Sequence, residues 1–102
     1  MDKIYTINEI KGMLYPVFYV TSVKKAVLFG SYAKGTPTMR SDVDILIDSE
    51  GKVTGIDFFG ILEEIVGKLK VPVDLIEASQ IITGSKVQRE IENSGVVIYE
   101  CE

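Results

Sequence analysis

Residues 28–48 read LFGSYAKGTPTMRSDVDILID, and the rest of the chain can be read outward from them. The stretch begins inside a short apolar run, residues 25–29 (KAVLF), bounded by Gly30. A run of that length and composition predicts a buried β-strand. Gly30-Ser31 then predicts a tight exit into a short helix or turn over residues 31–35. Residues 36–41 (TPTMRS) predict a loop with Pro37 as its breaker. Residues 42–48 (DVDILID) alternate in polarity and predict a second strand. Side chains on a strand point alternately to opposite faces. Val43, Ile45 and Ile47 are therefore expected on one face, and Asp42, Asp44, Leu46 and Asp48 on the other.

That alternation has a chemical consequence. Asp42 and Asp44 would be neighbours on one face, roughly 7 Å apart at the backbone. Like charges so placed raise each other's pKa, and a divalent cation relieves the repulsion. Hard cations such as Mg²⁺ take oxygen ligands, commonly one or two carboxylates with substrate phosphates completing the shell. Asp74 is the candidate third acid, because it is the only charge in residues 71–76 (VPVDLI). An acid in an otherwise buried strand needs a partner. The same residues also fit a plainer reading. Alternating acids can mark a solvated strand face, and Asp74 can be a strand-end acid bonded to a loop backbone.

The glycine-serine turn adds a second chemistry. A strand that ends in Gly-Ser and enters a helix presents free backbone N–H groups and a hydroxyl to an anion. Gly30 allows close backbone approach, and Gly35 permits the turn beyond it. Lys34 adds positive charge. The pattern lacks the Gly-Lys-Ser/Thr ending of a Walker loop and the Gly-x-Gly-x-x-Gly of a dinucleotide fingerprint. Ser41 either bonds the turn that carries the acids or caps the start of the strand. Arg40 reads as a solvated loop residue and Tyr32 as packing.

Around this centre the chain alternates helices and strands. Thr6-Ile7-Asn8-Glu9 has the spacing of a capping box. Ile7, Ile10, Leu14, Val17 and Phe18 follow it with helical periodicity, interrupted by Pro16, where a kink or tightening is expected. Residues 48–51 (DSEG) predict a turn. Residues 56–69 predict a helix with Phe59, Leu62, Ile65, Val66 and Leu69 on its buried face and a Glu64–Lys68 pair on its surface. Residues 71–76 predict a third strand with Pro72 near its start. Residues 85–93 predict a short helix with Val87 and Ile91 inward and Gly95 as the C′ residue that ends it. Residues 96–99 (VVIY) predict a fourth strand. The fold class is α/β (α+β) in two layers, a small mixed sheet of three to four strands covered by helices.

Composition narrows the function. The 102 residues predict one domain over 1–102, with a radius of gyration of about 13 Å. At 46% hydrophobic and 25% charged, the chain is neither disordered nor a disulfide scaffold. Its net charge of -4, with 11 scattered basic residues, argues against nucleic acid as the main partner. The single cysteine, Cys101, cannot form an intrachain disulfide, and a cytoplasmic setting is expected. With no histidine there is no Ser-His-Asp triad and no histidine zinc site. The longest apolar run, residues 13–20, is too short to span a membrane. The N-terminus, with Asp2 and Glu9, does not read as a secretion signal.

Phe29-Gly30-Ser31-Tyr32-Ala33-Lys34-Gly35, followed by Ser41-Asp42-Val43-Asp44-Ile45-Leu46-Ile47, resembles the signature of the DNA polymerase β-like nucleotidyltransferases. The likeness is greatest to their minimal, single-domain branch (MNT), and Val73-Asp74-Leu75-Ile76 supplies the third acid. Lys34 stands where the family usually has arginine, which keeps the charge but loses bidentate phosphate recognition. The resemblance implies that Asp42, Asp44 and Asp74 hold two Mg²⁺ ions about 3.5–4 Å apart. It implies that Gly30, Ser31, Lys34 and Ser41 bind a nucleoside triphosphate such as ATP. Asp74 would also help deprotonate an acceptor hydroxyl, which attacks the α-phosphorus while pyrophosphate leaves. Minimal members are often paired with a HEPN-type toxin, so the resemblance implies an antitoxin that adenylylates its protein partner. Two other readings remain at this level. One is a non-catalytic binding module of the same fold. The other is a small-molecule nucleotidyltransferase with a separate substrate-binding subunit. Self-association is also open.

Overall fold

A computed structural model describes residues 4–101 of the protein; Asp2, which bears on the reading of the N-terminus, lies outside them. The elements follow the order α1 (Ile7–Tyr19), β1 (Lys25–Phe29), α2 (Gly30–Lys34), β2 (Val43–Asp48), α3 (Gly55–Leu69), β3 (Val73–Glu77), a 3₁₀ turn (Ala78–Gln80), α4 (Lys86–Ser94) and β4 (Val96–Glu100). The four strands form one mixed sheet in the order β3-β2-β1-β4. β1 runs antiparallel to both β2 and β4, and β2 runs parallel to β3. A parallel pair needs a crossover, and α3 supplies it. The Cα radius of gyration is 12.7 Å, matching the expectation from length.

Burial explains the strand patterns. Ala26, Leu28, Val43, Ile45, Ile47, Leu75 and Ile98 turn to one face and pack under α1 and α3 with Ile10, Leu14, Phe18, Ile65 and Leu69. Val27, Phe29 and Leu46 turn to the other face, where Ile76, Ala78, Ile81, Val87 and Ile91 cover them. β1, like β2, has paired neighbours at both edges and apolar contacts on both faces, which is why residues 26–29 (AVLF) are continuously apolar. Tyr32 is buried in the main core and acts in packing, as expected.

The capping box at α1 forms as the spacing predicts. Thr6 Oγ1 accepts from the Glu9 backbone N–H at 3.0 Å, and Glu9 Oε1 accepts from the Thr6 N–H at 2.9 Å. The helix continues through Pro16 to Tyr19. The 48–51 turn also forms, with Glu50 and Gly51 at positive φ and the Glu50 N–H bonded to Asp48 Oδ1. No described helix is long and apolar enough to cross a membrane.

Several expectations need correction. α3 buries Ile61, Ile65 and Leu69, while Phe59 and Val66 are 63% and 40% exposed. Its apolar residues form two adjacent stripes sharing Leu62, and periodicity alone cannot say which stripe meets the sheet. Glu64 and Lys68 do not close an ion pair; those within 4.0 Å among the described residues are Lys34–Glu90 and Lys86–Glu90. β3 lies two residues later than its predicted start, from Val73 to Glu77. Gly95 does end α4, but with extended backbone at φ -63 and not in the left-handed form. Its need for glycine is spatial: a Cβ there would come within 2.5 Å of the Ile91 carbonyl and 2.8 Å of Val27 Cγ1.

Candidate functional site

The register of the sheet assembles the site. Phe29, the last residue of β1, pairs with Asp44, and Asp44 pairs in parallel register with Asp74. Adjacent strands lie about 4.8 Å apart, so the two acids are cross-strand neighbours at the end where β1 gives way to Gly30. Because Val43 and Ile45 turn into the main core, the alternation puts Asp44 on the opposite face, with Phe29 and Leu46. Asp42 lies just before β2, exposed, and not within the strand as expected.

Gly30 closes this end. Its φ of +73 lies in the left-handed region, and a Cβ on it would collide with the Asp44 carboxylate. Glycine therefore satisfies two constraints at once, the turn and the close approach of backbone to acid. α2 follows directly and ends at Gly35, φ 77, whose N–H donates to the Ser31 and Tyr32 carbonyls. Ser31 is half-buried and Lys34 exposed on this short helix. Ser41 closes the preceding loop: its Oγ accepts from the Thr38 N–H at 2.9 Å, and its own N–H donates to the Thr38 carbonyl at 3.0 Å. It stiffens the loop that delivers Asp42 without itself capping the strand.

The electrostatics single out Asp44. Burial, then repulsion from Asp74, Asp42 and Glu90, pushes its carboxyl up from the ordinary 3.8 to about 6. Both of the other expected acids are thus close enough to act on Asp44. Among the described residues they do not converge into a ready-made three-ligand cage. Hard carboxylate oxygens gathered around Asp44 beside a glycine-serine turn are the donor set that Mg²⁺ takes together with substrate oxygens. The residues fit the ion.

Asp74 corrects the sequence expectation. It is exposed, because β3 is an edge strand, and it is not a buried acid in search of a partner. The buried acid of that strand is Glu77, which sequence reasoning missed. Its Oε2 accepts from Ser49 Oγ at 2.6 Å and from the Ser49 N–H at 3.1 Å, and its Oε1 accepts from the Ser79 N–H at 2.8 Å. Burial alone would raise Glu77, but the hydrogen bonds from Ser49 and Ser79 outweigh it and hold the pKa below 4.5. The signal was available, since alternation puts Glu77 on the inward side with Val73 and Leu75. Glu90 was also missed. It pairs with Lys34 at 3.9 Å and acts on Asp44, and no local pattern in α4 reveals that.

A family model described as polymerase β nucleotidyltransferase matches residues 12–102. The chain belongs to the polymerase β nucleotidyltransferase family. Two proteins of Methanocaldococcus jannaschii, each named "Putative protein adenylyltransferase", are similar in sequence. One is 42% identical over 66 residues, covering 61% of this chain and 70% of the relative. The other is 30% identical over 99 residues, covering 91% and 98%. A chain of a toxin–antitoxin complex crystallised with AMP-PNP superposes with a TM-score of 0.72 at 21% identity, over 96% of this chain and 76% of that one. A chain from the complex of tri-AMPylated Shewanella oneidensis HEPN toxin with MNT antitoxin gives 0.70 at 15% identity, over 94% and 74%. These two likenesses show the polymerase β-like nucleotidyltransferase fold, and family membership makes the chain a nucleotidyltransferase.

Proposed function

We propose that this nucleotidyltransferase moves AMP from ATP to a hydroxyl on a partner protein, as the MNT-type antitoxin of a HEPN toxin. The observation that carries the reading is the register that sets Gly30, Asp44 and Asp74 side by side, with the Asp44 carboxyl raised to about 6 by burial and its acidic neighbours. A structural acid would have been given hydrogen-bond donors, as Glu77 was. The names of the relatives and of the superposing complexes point the same way.

Each residue has a part derivable from its place. Asp42, Asp44 and Asp74 would hold Mg²⁺, which when bound supplies positive charge to the triphosphate and the developing negative charge. Gly30 and Ser31 offer backbone N–H groups and a hydroxyl to the β- and γ-phosphates, and Lys34 offers an ammonium group. Ser41 keeps the loop before Asp42 in place. Asp74 accepts the proton of the acceptor hydroxyl. The new O–P bond forms at the α-phosphorus as its bond to the bridging oxygen breaks, and pyrophosphate departs. Holding the reactants in line and neutralising charge would supply most of the rate. The exposure of Asp74 on an edge strand suits a macromolecular acceptor, because the proton-accepting carboxylate is reachable from outside.

The test is labelling. Purified chain, Mg²⁺ and α-labelled ATP are incubated with a co-expressed HEPN-type protein, with Asp44→Asn as control. Label on the partner with the wild type and none with the variant is expected. Equal labelling by both, or none by either, would overturn the reading.

A further inference from the structure

Glu90 belongs to α4, an element whose other inward residues, Val87 and Ile91, serve only to pack against Val27, Phe29 and Leu46. Its Oε1 stands 3.9 Å from Lys34 Nζ and 4.0 Å from Lys86 Nζ. Lys34 is the only cation of the glycine-serine turn, residues 30–35. The Glu90 side chain is 23% exposed, against 48% for Lys34 and 84% for Lys86. The carboxylate is thus the fixed member of the trio, and both ammonium groups come to it.

We propose that Glu90 is a positioning residue that holds Lys34 in the nucleotide-free protein and competes with the triphosphate for its ammonium group. The inference rests on reading the acid end of the sheet as the nucleotide site. An ion pair with one half-exposed partner contributes little, so a phosphate oxygen of higher charge can displace it. A mostly buried carboxylate left unpaired would be costly. Lys86, on the same oxygen, covers Glu90 when Lys34 turns to phosphate. The exchange keeps Glu90 partnered in both states. It weakens triphosphate binding, and it offers Lys34 a partner to return to when pyrophosphate leaves. The competition also favours ligands with β- and γ-phosphates, which can reach Lys34, over a nucleoside monophosphate.

Calorimetric titration of Mg-ATP into the full chain tests this, using the wild type, Glu90→Gln, Lys34→Gln and the double variant. Glu90→Gln should bind Mg-ATP about two- to fivefold more tightly, the range available to an exposed pair. The gain should vanish in the Lys34→Gln background, shrink at high salt, and be absent for AMP. In the labelling assay the same variant should lower KM without raising kcat. Glu90→Asp, which keeps the charge but shortens its reach, should fall between wild type and Glu90→Gln, and melting curves confirm that each variant is folded. Unchanged or weaker Mg-ATP binding by Glu90→Gln, or a gain that persists without Lys34, would overturn the proposal alone. No Mg-ATP binding by the wild type would overturn both this proposal and the nucleotide reading beneath it.

Discussion

Two acids of the sheet, the half-buried Asp44 and the buried Glu77, have been treated in opposite ways. Asp44, at the start of β2, faces Asp74, Asp42 and Glu90, and its pKa is raised to about 6. Glu77, at the far end of β3, faces Ser49 and Ser79, and its pKa is lowered. Both acids lie on the neighbouring strands β2 and β3 of one sheet. The difference is in what surrounds them. Three donated hydrogen bonds compensate the Glu77 charge, tying β3 to the turn after β2. The Asp44 charge is surrounded by more negative charge, a repulsion that the cation of the proposed reaction would relieve. One end of the sheet is built for stability, and the other accepts a stability cost.

The strongest way to break this contrast is to neutralise the acid end. Asp44→Asn should reduce nucleotidyl transfer by about a thousandfold or more, since it removes charge from the reacting centre. Initial rates with labelled ATP and the partner check it. Next comes the opposite end. Glu77→Ala strands the two buried donors of Ser49 and the part-buried Ser79 N–H, and should destabilise the fold by about 2–4 kcal/mol, read from denaturant midpoints. Activity per folded molecule should hold. Gly30→Ala sets a Cβ against the Asp44 carboxylate at a positive φ. It should cost about 1–3 kcal/mol in melting experiments and weaken Mg-ATP binding as well.

The pH dependence sharpens the same comparison. The native Asp44 carboxyl, with its pKa raised from 3.8 to about 6, binds a proton more readily than the unfolded chain does. Its contribution therefore makes stability fall as pH rises from about 4 to about 6. Asp44→Asn should remove that slope and add about 1–2 kcal/mol at pH 7, after allowance for solvent screening, with no gain below about pH 4. Glu77 has the opposite sign. Its stabilisation is present above the unfolded value of 4.5 and is lost as pH falls through its lower native value. Urea midpoints across about pH 3–8 for the wild type and the two variants separate these contributions. The smallest effect belongs to Asp74→Asn, which should change stability by no more than about 0.5 kcal/mol because the residue is exposed, while transfer activity still drops sharply.

Much of this architecture is legible in the sequence alone. The capping box, the KAVLF strand, the Gly30-Ser31 exit and the alternation from Val43 to Asp48 all appear where local spacing puts them, while Asp42 falls just outside the strand. The departures share one cause, which is that the partner face of an element lies elsewhere in the chain. Phe59 and Val66 belong to an apolar stripe of α3 that the sheet does not meet. The apolar neighbours of Asp74 suggest burial, yet β3 is an edge strand. Glu77 follows the apolar run of β3 like a polar strand end, yet its inward side meets Ser49 across 28 residues of sequence.

Local periodicity determined which residues form strands and helices, and which side chains share a face, because backbone geometry repeats over a few residues. The chemical character of the site, acids beside a glycine-serine turn, was legible for the same reason. Depth, neighbours and charge environment were decided by strand order and by the docking of α4. These are long-range facts: Asp44 meets Asp74 through a crossover, and Lys34 meets Glu90 only because α4 packs onto α2 and β1. The difference between an acid set among like charges and one bonded into the fold lies in those contacts, which no short stretch of sequence contains.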